Sequence, residues 1–371
     1  MKITKVETIL LAVPCSSNGA IRPSTGRSWS AFDVLLVRID TDAGISGWGE
    51  AFGRARDLPL KAVIDAHIAP KLIGQDPTRI EAIKHDLEFR LHNTGRIGGI
   101  AYGIAAVDIA LWDILGKRAG LPLHQLIGGL VTPELPVYAS FLRYGSVEGV
   151  RGAVRKALAE GYRHIKLHEI GIAENLAARE EAGPDVAIML DVNCPWTVSQ
   201  SIDAARRLAP GNFDWLEEPV WPPENYGGLG EIRRKGSLRI AAGENAGSLH
   251  DFKAMFDAGA IDVAQPDLAK AGGISEALRI DALAEAHGVD VVPHCATFGP
   301  GLLATIHFNA SRRRPPLLER LYFAFDEHPI GAVAEPVDGF VKVPTGPGLG
   351  YDPDPRVIER YRVEPAEFAW T

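Results

Sequence analysis

Ile188-Met189-Leu190-Asp191, Trp215-Leu216-Glu217, Ala241-Ala242-Gly243-Glu244, Val263-Ala264-Gln265-Pro266-Asp267 and Val291-Val292-Pro293-His294 are five short apolar runs, each ending in a residue able to bind a metal or move a proton. Their ends recur at intervals of 26, 27, 23 and 27 residues, the length of one strand plus one helix. Between them, Ser201 to Leu208, Leu249 to Phe256 and Ile274 to His287 carry apolar residues at helical spacing, so the order is strand, helix, strand, helix. Such repeated units imply a parallel sheet with right-handed crossovers. In an eight-stranded α/β barrel the C-terminal strand ends converge on one mouth, so polar residues at the same point of five units are expected to meet in space.

Asp191, Glu217 and Glu244 are carboxylates on consecutive strands. Three anionic groups aimed at one spot repel each other unless a cation lies among them. An all-oxygen set without Cys or His selects a hard ion, with Mg²⁺ the first expectation and Mn²⁺ the second. The plainer alternative is that each carboxylate caps a helix or pairs with a nearby Lys or Arg.

The chain has 371 residues, enough for a large barrel and a smaller domain. Its net charge of −8, with Arg312-Arg313-Arg314 only a short basic run, argues against a nucleic-acid partner. Cys15, Cys194 and Cys295 are scattered without metal spacing, which implies a reducing compartment. Met1 to Cys15 does not read as a signal peptide, and no stretch is expected to approach the length of a membrane span, so a cytoplasmic location is expected.

Outward from the ladder, Lys2 to Val13, Phe32 to Asp40 and the run through Gly47-Trp48-Gly49-Glu50 read as an antiparallel opening. Cys15 to Ser30 between the first two strands is a long polar loop of the kind used as a lid; it carries Arg22 and Arg27, and a second loop, Gly53 to Arg56, carries Arg54. A helix is expected from Asp76, with Asp76 as its N-cap, and a buried one from Gly99 to Lys117, in which Asp108 and Asp113 read as structural partners. The barrel is expected to begin near Pro136. In its second strand, His164 to His168, alternation puts Lys166 and His168 on the inward face, where both are candidate proton carriers. Asn193 shares the inward face of Asp191, and Glu319 falls on the eighth strand. The expected organisation is an α+β capping domain with lid loops over 1–128, a modified (β/α)8-type barrel over 129–330 and a return segment over 331–371.

With these residues in place, the chain resembles the enolase superfamily, and within it the mandelate racemase group, over essentially its whole length. The matching motifs are Gly47-Trp48-Gly49-Glu50, Asp108 to Asp113, Lys166-Leu167-His168, Asp191-Val192-Asn193, Leu216-Glu217-Glu218-Pro219, Gly243-Glu244-Asn245, Gln265-Pro266-Asp267 with Gly272-Gly273-Ile274, and His294. The resemblance implies that Asp191, Glu217 and Glu244 hold Mg²⁺, that His294 paired with Asp267 is the general acid/base, and that Lys166 contacts the substrate carboxylate. It also implies that the tail returns to the capping domain and that the protein is a homo-oligomer. One departure stands out: the group's second strand ends in Lys-Xaa-Lys, whereas here the second lysine is replaced by His168, either as a proton carrier, as a partner for a substrate hydroxyl or as a filler. Asn193, Arg22, Arg27 and Arg54 are candidate substrate contacts.

The activity implied is abstraction of the proton α to a carboxylate, first of all in dehydration of an aldonate or aldarate to a 2-keto-3-deoxy acid. Racemisation or epimerisation of a 2-hydroxy acid and cycloisomerisation of a sugar-acid lactone share the first half-reaction. A Schiff-base lyase using Lys166 and a non-catalytic sugar-acid-binding barrel are alternatives of other classes.

Overall fold

The computed structural model describes residues 1–21, 28–53 and 58–363. Three antiparallel strands, β1 (Ile3–Ser16), β2 (Ala31–Thr41) and β3 (Ser46–Ala51), form the opening sheet. Against β3 lies the helix Gly99–Ala119. The approach is close enough to dictate sequence: a Cβ on Gly47 would stand 2.2 Å from the Ala110 carbonyl oxygen, and one on Gly49 would stand 1.8 Å from that of Ala106. Side chains at either position would drive strand and helix apart.

This helix corrects one expectation. Its 21 residues are long and apolar enough to cross a membrane by length and composition. In the fold it is enclosed, with the sheet on one side and the helix Gly273–His287 on the other, where Asp108 accepts the Ser275 amide at 3.0 Å and its hydroxyl at 2.5 Å. A second correction concerns Asp76. Its carboxylate accepts the Thr78 amide (3.1 Å) and hydroxyl (2.9 Å), and the helix begins only at Ile80, with Arg79 at the N-cap position. The short Asp side chain finds donors two residues on and closes a turn in place of capping a helix.

The second sheet contains eight parallel strands: β4 (Glu134–Ser140), β5 (His164–Leu167), β6 (Ala187–Asp191), β7 (Leu216–Glu217), β8 (Ile240–Ala242), β9 (Val263–Ala264), β10 (Asp290–Val291) and β11 (Leu318–Leu321). Each pairs with its sequence neighbour from β4 to β10, and β11 returns to pair with β4, so the order is that of a (β/α)8-type barrel. At the mouth the Cys295 amide, just past β10, donates to Glu319 of β11 at 3.0 Å. Tyr138, Met189, Trp215, Ala241 and Val263 pack together inside, while a much larger cluster fills the layer between strands and helices. The helices start where local chemistry predicts: the Ser146 hydroxyl accepts the Gly149 amide at 3.1 Å, and Thr197 with Gln200 forms a capping box.

Two short strands and one carboxylate tie the parts together. β12 (Ala324–Phe325) leaves the barrel and pairs with the end of β1. β13 (Phe340–Lys342) pairs antiparallel with β4, and further on the Val363 amide donates to the Leu10 carbonyl at 2.9 Å. Glu50, at the end of the Gly-Trp-Gly-Glu run, accepts the amides of Phe298 (3.2 Å), Gly299 (2.8 Å) and Gly301 (3.0 Å). The opening sheet is thereby fixed onto the loop that follows His294.

Candidate active site

A cavity of about 370 Å³ lies at the C-terminal mouth of the barrel, with Trp29, Phe52 and Tyr102 on the side of the opening domain and His168, Asn193, Glu244 and His294 on the barrel side. A larger groove, about 540 Å³, lies at the opposite end of the strands along Arg312, Arg313 and Arg314; Arg312 and Arg313 pair there with Asp281 and Glu285, and no acid–base set converges.

Asp191 and Glu217 end their strands side by side in the ladder, and Glu244 sits just past β8; the first two are buried and the Glu244 side chain is 15% exposed. Asp191 accepts the Asn193 amide (3.0 Å) and side chain (2.9 Å) on one oxygen, and its other oxygen lies 3.0 Å from His168 Nε2 and 3.4 Å from Lys166 Nζ. Glu217 accepts Lys166 (3.0 Å) on one oxygen and Gln265 (2.7 Å) and the Trp215 indole (3.1 Å) on the other. Glu244 meets His294 Nε2 at 2.7 Å, with Lys270 at 3.9 Å. Lys166 completes its set with Glu319 at 2.8 Å.

Among the described residues no three metal-ligating side chains stand ready around one point; the protein's own cations take up the carboxylates. The charge pattern nevertheless fits a further cation. Burial, only partly offset by Lys166 and reinforced by the charges of Asp191 and Glu319, pushes Glu217 up to about 7. A buried all-oxygen set that crowds like charges in this way accommodates a hard divalent ion.

His294 Nδ1 lies 2.6 Å from Asp267 and its Nε2 faces Glu244, so both nitrogens meet acceptors. Burial alone would lower its pKa, but Glu244, Glu319 and Asp267 raise it to about 10. His168 places Nδ1 on the Phe141 carbonyl and turns Nε2 to Asp191. Since β5 and β10 are not neighbours in the barrel order, the two histidines enter the cavity from separate walls. Asn193 (φ 52°), Cys194 (φ 58°) and Glu218 (φ 45°) are non-glycine residues held at positive φ around the carboxylates, the strained backbone that clusters at functional sites.

The structure thus brings together Asp191, Glu217, Glu244, Asp267, His294, Lys166, His168 and Asn193. Arg22, Arg27 and Arg54 lie outside the described residues. Lys166 is buried among three carboxylates at 2.8–3.4 Å that raise its pKa above the ordinary lysine value, which argues against a Schiff-base nucleophile. Burial raises Cys194, and pushes Cys295 up to about 12, so neither is a thiolate. Three residues carry more than sequence reasoning assigned them. Glu319 binds Lys166, and its signal was a glutamate inside an apolar strand; Lys270, 4.1 Å over the Phe52 ring, and Arg143 each lie a few residues past a strand end, where loop polarity conceals them.

A capped barrel with strand-end carboxylates and a buried His–Asp pair at its mouth defines an enzyme built for proton transfer. The chain belongs to the mandelate racemase group of the enolase superfamily: residues 6–128 match the Mandelate racemase / muconate lactonizing enzyme, N-terminal domain, and residues 149–357 the Enolase C-terminal domain-like family. It is 34% identical to the D-galactarolactone cycloisomerase of Agrobacterium fabrum, over 98% of this chain and 99% of that one. It is also 34% identical to the D-galactonate dehydratase of Verminephrobacter eiseniae, over 88% and 91%. A racemase from Streptomyces coelicolor A3(2), solved with bound magnesium, superposes with a TM-score of 0.86 at 32% identity, covering 97% of this chain and 100% of that one.

Proposed function

We propose that this enzyme removes the proton α to the carboxylate of a sugar acid and expels the β-hydroxyl, giving a 2-keto-3-deoxy acid. The observation that carries the reading is His294, buried against Asp267 at 2.6 Å and opening onto the same cavity as His168, Asn193 and Glu244. Asp191, Glu217 and Glu244 are the residues that would hold Mg²⁺, or Mn²⁺ in its place. Bound there, the cation stabilises the negative charge that develops on the carboxylate oxygens as the proton departs.

The chain's own residues do the rest. In its neutral form His294 takes the α-proton on Nε2, with Asp267 fixing the ring and raising its basicity. Lys166 stays charged and faces the substrate carboxylate. Asn193 binds a substrate oxygen. The C–O bond to the β-hydroxyl breaks as an acid, His168 or His294, donates the proton that lets it leave as water, and the enol tautomerises to the ketone. A second reading, opening of a sugar-acid lactone by cycloisomerisation, is favoured by the 34% identity to the Agrobacterium cycloisomerase; there the alkyl C–O bond of the ring breaks and the ring oxygen leaves with the electron pair as a carboxylate, in place of the hydroxyl leaving as water.

The test is proton NMR in D₂O with Mg²⁺ over pooled aldonic, aldaric and lactone substrates, beside His294→Asn and an EDTA-treated sample. New methylene signals of a deoxy keto acid, lost in the variant and on chelation, are expected. A deoxy keto acid formed from a lactone without loss of water establishes the second reading, and absence of α-proton exchange throughout overturns both.

A further inference from the structure

Arg143 has no role in the steps above, yet it lines the cavity. It lies in the loop after β4, and its Nε donates to the backbone carbonyl of His168 at 2.9 Å. That bond fixes the plane of the guanidinium and leaves the Nη donors without a partner among the described residues. Glu169 lies close enough to feel the charge, but its carboxylate is spent on the amides of Tyr144 and Gly145. The Arg143 carbonyl accepts the Ile21 amide at 2.9 Å, which anchors the first loop beside it.

The location separates this cation from the reacting end. Lys166 and Lys270 serve the carboxylates around Asp191, Glu217 and Glu244. Arg143 is held by the backbone carbonyl of His168, whose ring nitrogen Nε2 meets Asp191 at 3.0 Å. One histidine residue therefore stands between the guanidinium and the acid–base centre. The neighbouring walls are apolar, with Leu142, Trp29, Phe52 and Leu321. A half-buried guanidinium whose neighbouring carboxylate, Glu169, is already held by the Tyr144 and Gly145 amides keeps its Nη donors for a partner within the cavity. Its planar fork suits a carboxylate bidentately.

We infer that Arg143 binds a second carboxylate at the far end of the substrate, so that the preferred ligands are aldaric acids, with an acid group at both ends, over aldonic acids. This rests on the sugar-acid reading and narrows its substrate class.

The experiment compares pairs that differ only at C6, galactarate with galactonate and glucarate with gluconate, by calorimetric titration of Mg²⁺-supplemented His294→Asn protein, which binds without turnover. The same titrations are run with Arg143→Gln and Arg143→Lys added. The expected result is at least tenfold tighter binding of one diacid than of its monoacid. Arg143→Gln weakens that diacid on the order of 100-fold and erases the preference, while Arg143→Lys, which keeps the charge and loses the fork, restores part of it. Equal affinity for diacid and monoacid in every pair, a preference that survives Arg143→Gln, or no binding of either acid overturns the inference. Diacid preference through Arg143 without keto-acid formation by the His294 enzyme would leave the inference standing and remove the dehydratase reading.

Discussion

Replacing Asp267 by Asn tests the acid–base centre with little change of shape. The amide oxygen still accepts the His294 Nδ1 proton, so the ring keeps its orientation while the negative charge 2.6 Å away disappears. An adjacent opposite charge is worth about one to three pKa units, so the affinity of His294 for a proton falls about 10- to 1000-fold. General-base catalysis contributes about 10²- to 10⁴-fold, and the expected loss in kcat/KM is on the order of 100-fold. Burial lowers the His294 pKa, while Glu244, Glu319 and Asp267 together raise it from 6.5 to about 10. The acid limb of the rate profile therefore moves to lower pH in the variant. The stability linked to this raised pKa is fully present below 6.5 and lost as pH rises towards 10, so the gap in thermal midpoint between wild type and variant narrows over that range. The assay is α-proton exchange and keto-acid formation followed by NMR from pH 5 to 10. A kcat/KM within threefold of wild type, with an unmoved acid limb, would refute the role of Asp267.

Lys166→Met leaves Asp191, Glu217 and Glu319 buried around a missing cation, at a cost of about 3–5 kcal/mol. Urea unfolding at pH 7 shows that loss, which shrinks at lower pH as the carboxylates protonate, and turnover is abolished. Burial raises Glu50 to about 7 against the pull of its three amide donors. Because the unfolded carboxyl ionises first, near 4.5, the folded state loses stability as pH rises from 4.5 to 7, on the order of 3 kcal/mol. Glu50→Gln removes that slope, seen as a flatter dependence of the thermal midpoint on pH.

Much of the fold and the centre of the site are legible in the order of residues. The beat of apolar runs sets strands and helices because burial on one face is a local, periodic demand. Barrel topology then places the C-terminal ends of those strands together, so Asp191, Glu217, Glu244, Asp267 and His294 meet without any contact having to be foreseen. Lys166 and His168 follow from alternation on one short strand. Where local signals compete, the reading slips: Asp76-Pro77-Thr78 carries both a helix start and a turn, and the turn prevails.

Other features were settled only when distant parts of the chain packed. The helix Gly99–Ala119 has a membrane-like composition, and its enclosure depends on two layers that close over it. Glu50 clamps amides about 250 residues away, across the joint between sheet and barrel. Arg143 has no periodic partner, and its place in the cavity depends on a backbone carbonyl that only the paired strands β4 and β5 bring within reach. Periodic burial is written residue by residue. Which polar groups face each other across an interface is decided by the closure of the barrel and the seating of the cap, and these depend on the whole chain at once.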